Sequence, residues 1–278
     1  MPRFLIALAV LATACNSELG EGDSGPLPLA CFAPLDGGVF LTGLTAPVPG
    51  CSAPQQDAGV FGLDTVGWRS GGVLVVPPSA PGTPLPLVIA FHPAGGSGFG
   101  VRNQLSMEAA ADGGAIFAYP NADQGTWDLG DTDGRRVDAL LRTMSQTYCI
   151  DPAQIHIAGF SAGAVFTLFL GCNEPSTFAS LVAVAGTEDR FDTRCCTKPI
   201  SALLIHGLAD DTISAGEGHN AADEIGKRDG CAATTTVQNG CDVYSCPAPR
   251  EVSFCPWEGG HEVPDWAGPA IWSFFSGG

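Results

Sequence analysis

The sequence predicts an α/β fold in which helices flank a mostly parallel central sheet. Short apolar runs alternate with longer helical patterns from about residue 72 to residue 275, as repeated strand-helix units require. Several of the runs are apolar at consecutive positions, which is typical of strands buried on both faces. The 278 residues are 45% hydrophobic and only 15% charged, a composition that favours one large buried core.

The same patterns place the elements along one domain that spans residues 31–278. The predicted strands are 73–76, 87–91, 115–119, 155–158, 181–185, 200–206 and 251–254. Helices are expected around 104–111, from about 137 to a stop near Asp151-Pro152, directly after 161, and over 265–275. Residues 31–70 give no clear pattern. Residues 212–249 are expected to be irregular, and no lid can be placed within them.

Residues 1–14 are a predicted secretory signal peptide. Arg3 supplies the positive start, residues 4–11 are an apolar run too short to span a bilayer, and small residues precede Cys15. Ordinary cleavage would leave Cys15 at the new N-terminus, whereas lipoprotein processing would also acylate it. Residues 15–30 are rich in glycine and proline and are expected to form a flexible tether. The chain is therefore expected outside the cell, secreted or held at the surface by a lipid.

The 11 cysteines are an odd number for an exported protein. Setting Cys15 aside leaves an even number, which favours a lipid on Cys15 and up to five disulfides in an oxidising compartment. Leu11 lies one position too early for the commonest lipoprotein pattern, so simple secretion stays open. Cys31 and Cys51 bracket a loop; they pair either with each other or each with another cysteine.

Charge and motif content exclude several classes of function. The chain carries 29 acidic against 12 Lys and Arg residues, a formal charge of −17, which repels nucleic acid and anionic membranes. A membrane contact is expected only through an N-terminal lipid. The cysteines lack the paired CxxC spacing of zinc sites, and neither a P-loop nor a dinucleotide fingerprint is present. We therefore expect a monomer without metal or cofactor that acts on a neutral or weakly charged substrate.

The segment 159–163 has the sequence Gly-Phe-Ser-Ala-Gly and lies between two apolar runs. A strand, a sharp turn and a helix are the context in which this motif presents a nucleophilic serine, here Ser161. The amide of Ala162 would then lie at a helix N-terminus, where it can bind a developing oxyanion. The alternative is a glycine-rich turn that buries its serine.

A nucleophilic serine needs a base and an acid that orients the base. His261 lies in a glycine-rich loop after the last predicted strand, and Asp210 follows the strand 200–206 at the edge where α/β sheets place their sites. Asp211 is the rival acid, and a surface loop histidine or turn carboxylates are the alternatives. The order Ser161, Asp210, His261 is that of α/β-hydrolases. His156 and His206 are expected to be structural, and His219 is uninformative.

The loop 92–96 follows an early strand of the sheet and is expected to supply the second oxyanion donor. Pro93 has no N–H, so the amide of Ala94 is assigned to this role. His92 is expected to brace the loop, and a simple glycine-rich turn is the alternative. Trp127 is a candidate substrate-binding residue, because an indole in a cleft can stack on a sugar or aromatic ring, although a core tryptophan is an equal reading.

With these residues in place, the chain resembles the secreted esterase family that contains feruloyl esterases, acetylxylan esterases and polyhydroxybutyrate depolymerases. The matching stretches are 87–92, 119–121, Trp127, 148–152, 159–163, 206–210 and 259–261. The resemblance implies an α/β-hydrolase with Ser161, Asp210 and His261 as nucleophile, acid and base, and an ester-decorated plant polysaccharide as substrate. Polyester hydrolysis is the enzymatic alternative, and a non-catalytic carbohydrate-binding protein on the same scaffold is the alternative of another class.

Two positions depart from the family pattern. Pro93 stands where a glycine usually follows the loop histidine, and Ala164 stands where relatives often continue with another glycine. Neither change removes a member of the expected triad, but Pro93 alters the backbone next to the expected oxyanion donor.

Overall fold

The computed structural model describes residues 49–52, 57–196 and 198–277. The expected signal peptide, the tether, Cys15 and Cys31 lie outside these residues. Within the described ranges, no helix is both long and apolar enough to cross a membrane. The same ranges contain no group of three or more His, Cys, Asp or Glu side chains arranged to hold a metal ion.

The strands of the described chain form one sheet with a parallel centre. They are β1 Gly59–Gly62, β2 Gly72–Val76, β3 Leu85–Phe91, β4 Ile116–Pro120, β5 Ile150–Phe160, β6 Ser180–Val184, β7 Ser201–Gly207, β8 Thr235–Gln238, β9 Cys241–Tyr244 and β10 Val252–Trp257. Their order across the sheet is β1-β2-β4-β3-β5-β6-β7-β10-β9-β8. The strands from β4 to β10 in this order run parallel, and antiparallel pairs complete both edges.

Helices cover both faces of the sheet, as a parallel centre requires. They are α1 Gly98–Leu105, α2 Glu108–Ala111, α3 Asp131–Thr147, α4 Ala162–Asn173, α5 Ala215–Arg228 and α6 Ala267–Ser276. Apolar residues of α3, α4 and α5 pack into the core on one face, and those of α1, α2 and α6 pack into the core on the other. Helix α4 is buried from Gly163 to Cys172, as its uniformly apolar sequence predicts.

Two helix predictions differ from the structure. The single helix expected over 104–111 is two helices, because Ser106 adopts a left-handed conformation (φ 44°) that ends α1. The next helix was expected to stop near Asp151-Pro152, but α3 ends earlier, at Thr147, because Tyr148 is already extended. The prediction that residues 212–249 are irregular was wrong, since they hold α5 and a β8-β9 hairpin.

Four disulfides lie within the described residues. They are Cys51–Cys149, Cys172–Cys196, Cys231–Cys246 and Cys241–Cys255. The alternative that Cys51 pairs with Cys31 is therefore wrong: Cys51 lies against the junction of α3 and β5, where Cys149 follows the helix. Disulfides of this number are typical of proteins that fold in an oxidising compartment.

The strand order creates a crevice at the carboxyl ends of β3 and β5. From β3 the chain moves outward to β4 on one side, and from β5 it moves to β6 on the other. Such a reversal leaves a gap between the connecting loops, which is where open α/β sheets bind ligands. Phe91 and Gly159 are in register at the ends of the two strands, so the segments that follow them flank this crevice.

Candidate active site

The turn between β5 and α4 is strained at the serine and tightly packed at both glycines of the motif. Ser161 has φ 55° and ψ −120°, an uncommon conformation for a non-glycine residue. A Cβ on Gly159 would lie 2.2 Å from the Gly163 carbonyl oxygen, and a Cβ on Gly163 would lie 2.1 Å from the Phe91 carbonyl oxygen. The glycines are therefore needed for close approach between strand and helix, while the serine itself takes the positive φ.

Ser161, His261 and Asp210 form one chain of hydrogen bonds, although a hundred residues separate the first pair along the sequence. His261 Nε2 lies 2.7 Å from Ser161 Oγ, and His261 Nδ1 lies 2.8 Å from Asp210 Oδ2. Because a carboxylate only accepts hydrogen bonds, Nδ1 carries the proton and Nε2 is left to accept the serine O–H. The Asp210 side chain is fully buried, whereas that of His261 is 19% exposed.

The Asp210 carboxylate is fixed by the turn that follows it. Its Oδ1 accepts hydrogen bonds from the amides of Thr212 (2.9 Å) and Ile213 (3.0 Å). Burial raises the pKa of Asp210, but the hydrogen bonds from His261 and the two amides outweigh it and hold the pKa below its usual value. Asp211 is exposed and, within the described part of the chain, accepts one long hydrogen bond from the Thr212 hydroxyl at 3.4 Å, so geometry favours Asp210 as the acid.

His206 contacts the Asp210 carboxylate from the buried side of the site. It is 1% exposed, its Nε2 donates to the Ile213 carbonyl oxygen at 2.8 Å, and the same nitrogen lies 3.3 Å from Asp210 Oδ2. Helix α5 packs on the ring, since a Cβ on Gly218 would lie 2.1 Å from His206 Nδ1. The sequence placed His206 in a strand as a structural residue, but its contact with Asp210 was missed; the spacing of four residues was the available signal.

The other histidines outside the site are packed in the core or on its edge. His156 lies between Ser180 Oγ (2.9 Å) and Gln154 Oε1 (3.1 Å) and stacks on Phe275, and burial lowers its pKa to about 4. His219 stacks on Phe254 with ring centroids 4.7 Å apart. Neither ring is bonded to the hydrogen-bonded chain at Ser161.

Both expected oxyanion donors lie at the crevice. Ala162 is the first residue of α4, so its N–H has no carbonyl partner within the helix. Ala94 lies in the loop after β3, and the contact of Gly163 with the Phe91 carbonyl brings the start of α4 against the beginning of this loop. The next residue, Gly95, has φ 71° and donates its N–H to the Gly125 carbonyl oxygen at 2.6 Å.

The loop that carries Ala94 is braced through His92. This imidazole is fully buried; its Nδ1 donates to the Pro93 carbonyl oxygen (2.7 Å) and its Nε2 accepts from the Ala122 amide (3.0 Å). Burial lowers the pKa of His92, which keeps the ring neutral and able to accept at Nε2. The expectation that His92 braces the loop matches these contacts.

Trp127 is part of the same brace and does not line a cleft. The side chain is 5% exposed, stacks on Phe166 at 5.1 Å and meets Phe91 edge-on at 5.0 Å. Its indole N–H donates to the His92 carbonyl oxygen at 2.8 Å. The surface left exposed is too small for a sugar ring to stack on, so the expected substrate contact of Trp127 is replaced by a structural role.

Comparison with known proteins finds esterases among the relatives of this chain. Residues 132–237, which include Ser161 and Asp210, match a family described as phospholipase/carboxylesterase. Feruloyl esterase C of Emericella nidulans is 27% identical over 265 residues, covering 84% of this chain and 94% of its own. The probable feruloyl esterase C of Aspergillus niger is 28% identical over 224 residues, covering 69% of this chain and 78% of its own.

Solved structures show the same fold at lower identity. An acetyl xylan esterase from Aspergillus awamori superimposes with a TM-score of 0.63 at 16% identity, covering 79% of this chain and 99% of its own. The S-formylglutathione hydrolase of Staphylococcus aureus superimposes with a TM-score of 0.56 at 13% identity, covering 81% and 98%. The parallel sheet and these neighbours show an α/β-hydrolase fold, and the matching family and relatives support a carboxylic ester hydrolase that is similar to feruloyl esterases.

Proposed function

We propose that this protein is an exported serine esterase that removes feruloyl or similar aromatic acyl groups from plant polysaccharide. The observation that carries the serine mechanism is the hydrogen-bonded chain from Ser161 through His261 to Asp210, with distances of 2.7 and 2.8 Å. This arrangement at a strained strand-to-helix turn is suited to acyl transfer through a covalent intermediate.

In the first half of the reaction, Ser161 Oγ attacks the ester carbonyl carbon as its proton passes to His261 Nε2. Asp210 holds the ring with Nδ1 protonated and stabilises the imidazolium that forms. The negative charge on the former carbonyl oxygen is received by the amides of Ala162 and Ala94. Collapse of this intermediate breaks the bond to the alcohol oxygen, which leaves with the proton from His261 Nε2.

In the second half, water takes the place of the departed alcohol. His261 Nε2 removes a proton from the water as its oxygen attacks the acyl-serine carbonyl. The same two amides hold the oxyanion, and collapse returns the proton from His261 to Ser161 Oγ as the carboxylic acid leaves. Every step uses groups of the protein and water, so the proposal requires no metal and no organic cofactor.

The substrate class is supported by the relatives and by charge. The relatives named above are feruloyl esterases C, and an acetylxylan esterase shares the fold. The chain carries a formal charge of −17, which disfavours polyanionic substrates and suits a neutral glycan that bears aromatic esters. A monomer is sufficient, because the proposed nucleophile, base, acid and oxyanion donors all come from one chain.

The serine mechanism is tested with p-nitrophenyl acetate and the Ser161→Ala variant. Wild type should hydrolyse this ester, and Ser161→Ala should lose at least about 1,000-fold in kcat, because nucleophile and base act as one unit. Equal rates for the two proteins would sink the mechanism. Absence of activity in both, with intact folding, would favour the alternative of a non-catalytic carbohydrate-binding protein.

The acyl preference is tested with methyl ferulate, acetylated xylan and short polyhydroxybutyrate oligomers. The proposal expects the highest kcat/KM on methyl ferulate. A clear preference for acetylated xylan or for the polyester would transfer the assignment to acetylxylan esterase or polyhydroxybutyrate depolymerase, while leaving Ser161 as nucleophile.

We also propose that the mature chain begins at Cys15 and that this cysteine carries a lipid. The support is the parity of the cysteines and the apolar run followed by small residues ahead of Cys15. The mass of the mature N-terminal peptide tests it, with a diacylglycerol adduct expected on Cys15. An unmodified Cys15 at the mature N-terminus would instead indicate simple secretion.

A further inference from the structure

A groove with a volume of about 840 Å³ runs along β10, away from Ser161. Its floor is formed by alternate residues of the strand, Ser253, Cys255 and Trp257, which share one face of the sheet. Residues 238–241, which form the turn between β8 and β9 and its two flanking strand residues, make one wall, and α6 forms the other. The three floor residues span about 13 Å, enough for two or three sugar units end to end.

Aromatic surfaces and polar groups share this groove. Trp257, Trp266 and Phe274 line it, and Trp266 is 41% exposed, one of the few large hydrophobic side chains that face solvent among the described residues. Amides of Gln238 and Asn239 lie at the wall, and the lining also includes hydroxyls of serine. Flat apolar faces next to hydrogen-bonding groups match a sugar ring, whose faces are apolar and whose edge carries hydroxyls.

We propose that this groove binds the backbone of a neutral polysaccharide, with sugar rings stacked on Trp266 and Trp257. The xylan-type identity of the glycan rests on the proposed function. Its neutrality rests on charge: Glu251 lines the groove, and neither lysine nor arginine is present among the described lining residues. A nucleic acid or a polyuronate would therefore be repelled, and a glycan without charge would not.

The end of the groove at Trp257 adjoins the loop that carries His261. A Cβ on Gly259 would lie 2.1 Å from the benzo ring of Trp257, so the loop rests directly on this tryptophan. The Gly259 carbonyl accepts the Ala209 amide at 2.8 Å, next to Asp210. Strand β10 is the third strand from β5, about 14 Å across the sheet. A glycan that extends past Trp257 out of the groove can thus bring its ester-bearing units to Ser161.

The binding test uses the full chain with Ser161→Ala, so that no ester is cleaved during the measurement. Calorimetry with xylohexaose and retention on insoluble arabinoxylan should both show binding. Adding Trp266→Ala should weaken xylohexaose binding about tenfold, whereas Trp266→Phe should restore most of it. The control Val60→Ala alters a side chain that is 58% exposed on β1, at the far edge of the sheet, and should change nothing. Polygalacturonate should not bind.

Kinetics separate this inference from the proposed function. In the chain with Ser161 intact, Trp266→Ala should keep the wild-type rate on methyl ferulate but lose about fivefold in kcat/KM on insoluble feruloylated arabinoxylan, through weaker retention. Absence of xylohexaose binding, or equal binding by Trp266→Ala, overturns the groove proposal even if the esterase is active. Loss of the methyl ferulate rate in Trp266→Ala also overturns it. Binding by a chain that hydrolyses no ester would retain the groove and remove the esterase assignment.

Discussion

The indole N–H of Trp127 donates to the carbonyl oxygen of His92 across 2.8 Å, and this bond joins the hydrophobic core to the proposed oxyanion loop. The indole is itself held by stacking on Phe166, a buried residue of α4. Because α4 begins directly after Ser161, the proposed nucleophile and the loop that faces it are positioned by the same aromatic cluster. The geometry of Ala94 therefore depends on a residue that never touches substrate.

Replacing Trp127 with Phe should lower kcat and leave KM nearly unchanged. The smaller ring keeps much of the packing but leaves the buried His92 carbonyl without its donor, so that the loop relaxes away from its fixed position. We expect about a tenfold loss in kcat for p-nitrophenyl acetate, together with about 1–3 kcal/mol in the free energy of unfolding. Trp272→Phe is the matched control, because Trp272 packs on the other face of the sheet, against Phe117. Equal kcat values for the two variants would contradict the proposed coupling.

Asp210→Asn and Asp211→Asn should differ sharply in activity. Asn at 210 still fits the turn, but its amide can donate to His261 Nδ1 and so favours the tautomer that cannot accept the Ser161 proton. A loss of about 10³–10⁴-fold in kcat is expected at 210. Asp211 is exposed, and its substitution should change kcat less than about twofold. Steady-state kinetics on one ester decide the matter, and a larger loss at 211 would reverse the assignment of the acid.

The hydrogen-bonded chain at Ser161 could be predicted from the sequence because each member follows a recognisable strand. Consecutive apolar residues mark β5 and β7, and glycines mark the turns after them, so the carboxyl edge of the sheet could be located. Trp127 was harder, because a sequence shows that an indole is apolar but not which way it faces. Only the packing against Phe166 separates a brace from a substrate platform.

Helix α5 and the disulfide pairing are features that the sequence pattern alone does not predict. The buried face of α5 is built from Gly218, Ala221, Ala222, Ile225 and Gly226, most of them small residues that give little apolar contrast with their neighbours. Its capping box, in which Ser214 and Glu217 bond each other's backbone, was nevertheless readable as a helix start. Cys51 and Cys149 are 98 residues apart, so their pairing depends on which distant segments of the chain the fold brings together.

Gly218→Ala should impair the candidate active site, although Gly218 itself lies outside it. The new Cβ would lie 2.1 Å from Nδ1 of His206, whose ring is only 1% exposed and is held by hydrogen bonding to the Ile213 carbonyl oxygen. Displacing His206 shifts its contacts with Ile213 and Asp210, so both stability and kcat should fall. We expect a loss of about 1–3 kcal/mol in unfolding free energy, the usual cost of overpacking a core.

Gly216→Ala, two residues earlier in the same helix, is the control for this substitution. Its Cβ would meet nothing closer than Ser214 Oγ at 3.8 Å. The alanine should leave kcat unchanged and raise the free energy of unfolding by up to about 1 kcal/mol, because alanine favours the helix over glycine. Urea unfolding and steady-state kinetics on both variants give the comparison. If Gly218→Ala behaved like Gly216→Ala, the proposed link from α5 through His206 to Asp210 would be refuted.

Asp229 should make the fold less stable as pH rises from 4 to 7. Its Oδ1 accepts the Ile200 amide at 3.2 Å, while its Oδ2 is buried without a partner among the described residues, and burial raises its pKa to about 6. The folded chain therefore holds a proton that the unfolded chain releases near pH 4, so this group's contribution is greatest below pH 4 and is lost through pH 6. Asp229→Asn should reduce the fall in unfolding free energy over this range by about 2–3 kcal/mol.

The readout for Asp229 is the difference between unfolding free energies at pH 4 and pH 7, measured with urea. Using the difference removes any constant cost of the new amide, whose N–H groups replace the unpaired carboxylate oxygen in a buried position. Asp211→Asn serves as the control, because that side chain is exposed and its substitution should leave the pH dependence as in wild type. A wild-type pH dependence in Asp229→Asn would mean that Asp229 is not the buried group whose ionisation weakens the fold near neutral pH.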